Sequence, residues 1–133
     1  MAEARAILKN YRQTPRKTRR VGALVRGKRV EDAYNILDFA IKRPAAPIKK
    51  LISSAVANAK AQGLSVEGLY VKEIRIDQAQ VMKRIRPASR GSAHPVKKRS
   101  SHVIVILTTD APKKKSRRAV NPKIANKIKE KSK

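Results

Sequence analysis

The chain has 133 residues, 34 of them Lys or Arg and 9 Asp or Glu, for a formal net charge of +25. That length allows one domain, and a 41% hydrophobic content allows a modest core that must be aliphatic, because Tyr11, Tyr34, Phe39 and Tyr70 are the whole aromatic supply. With no cysteine, disulfides, thiolate metal sites and cysteine nucleophiles are excluded, and charge of this density points to a polyanionic partner, nucleic acid ahead of an anionic membrane.

No apolar run approaches the length that spans a bilayer, and the opening MAEARAILKN lacks the regions of a secretory signal, so the chain is expected to work inside the cell. From Ala2 to Tyr11 charged and short apolar residues nearly alternate, which predicts a first strand. Thr14 followed by Pro15 opens a helix and Gly27 stops it. On that helix Val21, Leu24 and Val25 share an apolar face, with Arg16, Arg19, Arg20 and Arg26 opposite. An ordinary solvated face would mix acids with its bases, yet none occurs between Arg5 and Arg29, which favours a phosphate-facing surface.

A second helix starts at Val30, with Glu31 and Asp32 in its first turn where they complement the helix dipole. Its expected buried stripe is Val30, Ala33, Leu37, Ala40 and Ile41. The pair resembles a DNA-reading helix-turn-helix in outline, but Glu31, Asp32 and Asp38 on the second helix oppose entry into a groove. RPAAP (Arg43–Pro47) then starts a third helix to about Gln62, whose Ile48, Leu51, Ile52, Ala55, Val56 and Ala59 form the cleanest core stripe in the chain.

Leu69 to Asp77 reads as a strand whose apolar phase changes between Val71 and Ile74, predicting a bulge near Lys72. His102 to Thr109 is a second, very apolar strand. Between them lies VMKRIRPASRGSAHPVKKRSS (Val81–Ser101), with no acid anywhere between Asp77 and Asp110. The flanking strands and the turn signal Ser89, Arg90, Gly91, Ser92 predict an extended hairpin arm with about ten residues on each side, counted outward from Gly91, beyond the packed region, on the order of 30 Å of reach. Pro87 and Pro95 are tolerated on such an unflanked ribbon. Beyond Asp110 the composition becomes a basic tail, 111–133, unable to bury enough apolar surface to fold alone.

Catalysis finds no support in these residues. His94 and His102 are the only imidazoles, no carboxylate cluster accompanies them, and Gly22 and Gly27 are too isolated to form a phosphate-binding loop. Scarce aromatics count against base stacking, leaving binding through charge and shape. An architectural DNA binder with a basic β-arm, wedging Pro87 or Pro95 between bases, is the competing reading; a nuclease would need a carboxylate pair that is missing.

TPRKTRRVGALVRGKRVEDAYNIL (Thr14–Leu37), KKLISSAVANA (Lys49–Ala59) and MKRIRPASRGSAHPVKKRSSHVIVIL (Met82–Leu107) together resemble the bacterial-type L22 (uL22) family of large-subunit ribosomal proteins, over about Ala4 to Thr109. The resemblance implies an α+β fold of three helices on a three-stranded antiparallel sheet with a long extended β-hairpin: one domain over 1–110, its arm at about 78–102, followed by the basic tail. It further implies a structural, non-enzymatic role in a cytoplasmic or organellar ribosome, with no cofactor, metal, membrane or small-molecule substrate. The implied partners are large-subunit rRNA, bound early in assembly, neighbouring large-subunit proteins, and the nascent peptide in the exit tunnel. Charge and resemblance together nominate Arg16, Lys17, Arg19, Arg20, Lys28, Arg29, Lys83, Arg84, Arg86, Arg90, Lys97, Lys98, Arg99, Ser100 and His102 as RNA-binding, and the tip Ser89, Arg90, Gly91, Ser92 and Ala93 as tunnel-lining. The chain departs from the family pattern in three places: Ala88 stands where a basic residue is usual, Gln78-Ala79-Gln80 follow Asp77 in place of Gly-Pro, and Arg20 replaces an apolar residue.

Overall fold

The computed structural model describes residues 3–110; the tail expected over 111–133 lies outside the described residues. Strand β1 (Glu3–Tyr11) sends Ala4 and Ala6 inward, as its alternation requires. Helix α1 (Pro15–Val25) begins behind Thr14, helix α2 (Val30–Phe39) carries Glu31 and Asp32 in its first turn, and helix α3 (Ala45–Ala61) ends just before Gly63. Strands β2 (Tyr70–Pro87) and β3 (Ala93–Thr108) complete an antiparallel sheet of order β1-β3-β2. The helices cover one face, and the core between the layers is aliphatic, centred on Ile48 and Ile52 of α3, Val21 and Val25 of α1, and Val103, Val105 and Leu107 of β3.

The bulge expected near Lys72 is present: β2 shifts register against β3 between Val71 and Glu73, which lets Leu69, Val71, Ile74 and Ile76 all point into the core. Two further shifts have no signature in the apolar pattern, one between Leu8 and Tyr11 in β1 and one between Gln78 and Val81 in β2, where the arm leaves the body.

Two core assignments need correction. Leu24 is 51% exposed; the inner face of α1 is Pro15, Thr18, Val21, Gly22 and Val25, and Thr18 tolerates burial because its hydroxyl donates to the Thr14 carbonyl at 3.2 Å. Ile41 is 96% exposed, because α2 ends at Phe39 and Ala40 is already extended, so the helical repeat stops before reaching it. Gly22 is the close-approach point: a Cβ there would lie 2.6 Å from Ile76 Cδ1.

Ile52 is fully buried between α3 and the sheet. Ile52→Val is expected to destabilise the domain by about 0.5–1.5 kcal/mol, one lost methylene in a close-packed site, seen as a lower urea midpoint at unchanged m-value.

Candidate nucleic-acid interface

The arm is a continuation of β2 and β3 past the last residues the body can cover. Ala79 and Ser100 are buried, whereas almost every residue from Val81 to Arg99 is exposed. Its ladder runs from Val81 opposite Arg99 to Pro87 opposite Ala93. Counted outward from Gly91, the arm has ten residues on one side (Val81–Arg90) and eight on the other (Ser92–Arg99), close to the ten expected, and the paired part spans roughly 23 Å before the turn. At the tip Arg90 and Gly91 have φ of 56° and 72°, the left-handed conformation of the turns that match a hairpin's twist, and the Ser92 N–H donates to the Ser89 carbonyl at 3.2 Å. Gly91 adopts it without steric cost; Arg90 does not.

Cross-strand partners share a face, so the pairing sorts the arm's side chains into two sets. One face carries Met82 and Lys98, Arg84 and Val96, Arg86 and His94; the other carries Val81 and Arg99, Lys83 and Lys97, Ile85 and Pro95. Neither face is purely cationic. Lys83 and Lys97 are directly opposed, an arrangement that destabilises an isolated ribbon. Among the described residues no arm cation joins an ion pair; the three pairs present, Lys49–Asp38, Lys72–Glu3 and Arg75–Asp77, all lie on the body. They are exposed and screened. Glu3 raises the Lys72 ammonium above its ordinary 10.5 mainly through their hydrogen bond, so the lysine keeps its charge through neutral pH and gives up its side of the contact as alkaline pH removes the proton.

The nominated body residues divide. Arg16, Lys17, Arg20 and Lys28 are exposed. Arg19 and Arg26, expected to face away from the core, reach the outer edge of β2: Arg19 Nε donates to the Ile76 carbonyl at 2.9 Å and Arg26 Nη2 to the Ile74 carbonyl at 2.8 Å. Arg29 donates to the Tyr70 hydroxyl at 3.1 Å with its guanidinium 5.7 Å from the ring centre, and that hydrogen bond raises its pKa. On the arm, Lys83, Arg84, Arg86, Arg90, Lys97, Lys98 and Arg99 are all exposed, as are the tip residues Ser89, Gly91, Ser92 and Ala93. Ser100 and His102 sit differently. Ser100 is 3% exposed, and His102 Nδ1 accepts the Asn10 N–H at 3.1 Å, because both lie where the arm has rejoined the body. Arg12 is a further cation at the arm's root, its Nη1 lying 2.7 Å from Met82 Sδ; nothing in local sequence joins positions so far apart.

Arg26→Ala is expected to cost about 1 kcal/mol, the exposed value of one charge-assisted hydrogen bond to a carbonyl, measured as a shift in the urea midpoint.

Among the described residues no group of three or more His, Cys, Asp or Glu is placed to hold a metal ion, and no helix is long and apolar enough to cross a membrane. An aliphatic body presenting a cationic ribbon with no acids of its own is the make-up of a charge-presenting protein. Residues 6–108 match the family model described as ribosomal protein L22p/L17e, so the chain belongs to that family of ribosomal proteins, whose members are structural and not enzymes. It is 47% identical over 108 residues to the large ribosomal subunit protein uL22 of Myxococcus xanthus, covering 79% of this chain and 95% of the relative. The uL22 proteins of Bdellovibrio bacteriovorus (47% over 106 residues, 79% and 96%) and of Thermotoga sp. strain RQ2 (42% over 119 residues, 89% and 75%) are similar to it as well.

Proposed function

We propose that the protein is a structural constituent of the large ribosomal subunit that grips large-subunit rRNA through its arm and the exposed face of α1, and that its tip, Ser89 to Ala93, borders the nascent-peptide tunnel. The observation that carries this reading is the arm itself: a paired ribbon whose Lys83 faces Lys97 and whose cations have no ion-pair partner among the described residues. Such a ribbon is marginal in water, and phosphates threaded along both faces supply the missing counter-charge. The apolar residues between its cations, Ile85, Val96 and Met82, suit the sugar and base surfaces of folded RNA better than a bulk-solvent loop would require. Neighbouring large-subunit proteins are the remaining partners, and the ribosome, cytoplasmic in bacteria, is the place of action.

Two experiments test it. Tagged protein is expected to co-sediment with large subunits through a high-salt wash and not with chromosomal DNA; recovery with DNA instead would support the architectural alternative. Because the chain has no cysteine, Ser92→Cys gives a unique crosslinking position. It is expected to capture a stalled nascent peptide where Asn35→Cys, on exposed α2, does not; capture from neither would remove the tip from the tunnel.

A further inference from the structure

The two outer edges of the sheet are treated differently. On β2, the α1–α2 connection pairs with the edge: the Gly27 N–H donates to the Val71 carbonyl at 2.8 Å, the Val71 N–H to the Lys28 carbonyl at 2.9 Å, and the Val30 N–H to the Leu69 carbonyl at 3.0 Å. Arg26 and Arg19 then cover the Ile74 and Ile76 carbonyls. From Leu69 to Ile76 the outward carbonyls of that edge are taken, as on edges that must not pair.

On β1 a single side chain caps one carbonyl. Asn58 Nδ2 donates to the Arg5 carbonyl at 2.9 Å, which shows that Arg5 directs its backbone groups away from β3. Strand alternation then directs the N–H and carbonyl of Ile7 outward too, while Ala4, Ala6 and Leu8 face their partners Leu107, Val105 and Val103. Among the described residues nothing hydrogen-bonds the outward groups of Ile7. Beside them runs an open apolar groove between β1 and α3, lined by Ile7, Leu8, Pro47 and Leu51, with Lys50 on its rim; Lys9, two residues beyond Ile7 along β1, is exposed. Ile7 is 44% exposed.

We infer that the β1 edge takes an extended, acidic segment of another protein as an added strand. An unpaired edge offers alternating donors and acceptors, which a polypeptide backbone matches; phosphate supplies acceptors only and would oppose the Ile7 carbonyl. The groove suits aliphatic side chains at every second position of that segment, and Lys9 and Lys50 favour acids between them. A second copy of this chain is repelled by its charge of +25, and the basic residues 111–133 have the wrong sign. This site lies outside the RNA-binding surfaces proposed above.

The probe is an acetylated heptapeptide of alternating glutamate and valine, added to the full-length protein while amide exchange is followed by NMR. It is expected to slow exchange of the Ile7 amide by about tenfold or more, whereas an equally charged glutamate–proline peptide leaves it unchanged. Ile7→Pro removes an outward N–H without costing a bond to β3 and is expected to weaken binding of the valine peptide at least about tenfold, with RNA affinity unaltered. Should that variant not fold, Lys50→Glu is expected to weaken the same peptide about threefold or more through diminished attraction. No slowing at Ile7, equal slowing by the proline peptide, or the same protection from polyuridylate would overturn the inference.

Discussion

Replacing Lys97, Lys98 and Arg99 together by alanine is expected to weaken binding to large-subunit RNA about a hundredfold at 0.1 M salt, and to flatten its dependence on log salt by roughly 0.7–0.9 for each phosphate left without its cation. The three residues alternate between faces: Lys98 lies with Met82, while Lys97 and Arg99 lie with Lys83 and Val81. In an RNA that touches only one face the substitution would free one or two phosphates, and in one that envelops the ribbon it would free three. The slope therefore measures how far the arm is surrounded. Filter binding across a salt series gives both the affinity and the slope, and an unchanged slope would mean these side chains do not meet phosphate.

Lys83→Glu is expected to move two observables in opposite directions. In the free protein it converts the Lys83–Lys97 opposition into an attractive cross-strand pair, worth about 0.2–1 kcal/mol to the ribbon, so amides of the paired arm residues exchange more slowly. In the complex it puts a carboxylate where a phosphate is proposed to sit, and affinity is expected to fall roughly tenfold or more. A substitution that merely damaged the hairpin would weaken both. A folded domain that loses arm order together with affinity would contradict the assignment of Lys83.

These expectations rest on features that are unequally legible in the sequence. The bulge at Lys72 can be read because buried positions on both sides of it must reach one core, which makes a phase change visible. The bulge between Gln78 and Val81 cannot, since the exposed residues beyond it impose no phase; it falls on Gln78-Ala79-Gln80, one of the departures from the family pattern. Helical periodicity places Val21 and Val25 correctly but carries Leu24 and Ile41 inward as well. It reports neither where a helix ends nor how wide a stripe its neighbours cover. Arg19 and Arg26 look like solvent-facing cations because their partners, the Ile76 and Ile74 carbonyls, belong to a strand some fifty residues away. The arm's cations are legible for the opposite reason: their property is the lack of acids nearby in sequence, and the hairpin brings none to them. Ser100 and His102, nominated with them, lie where the hairpin has rejoined the body, a placement that follows from three-dimensional pairing and not from local sequence.

If the ribbon depends on RNA to hold its form, hydrogen exchange of its backbone amides reveals it most directly. With the protein alone, amides from Met82 to Arg86 and from Val96 to Lys98 are expected to exchange far faster than those of Val103 and Val105, and to slow to a comparable level once large-subunit RNA is bound. Slow arm amides in the free protein, unchanged by RNA, would contradict it.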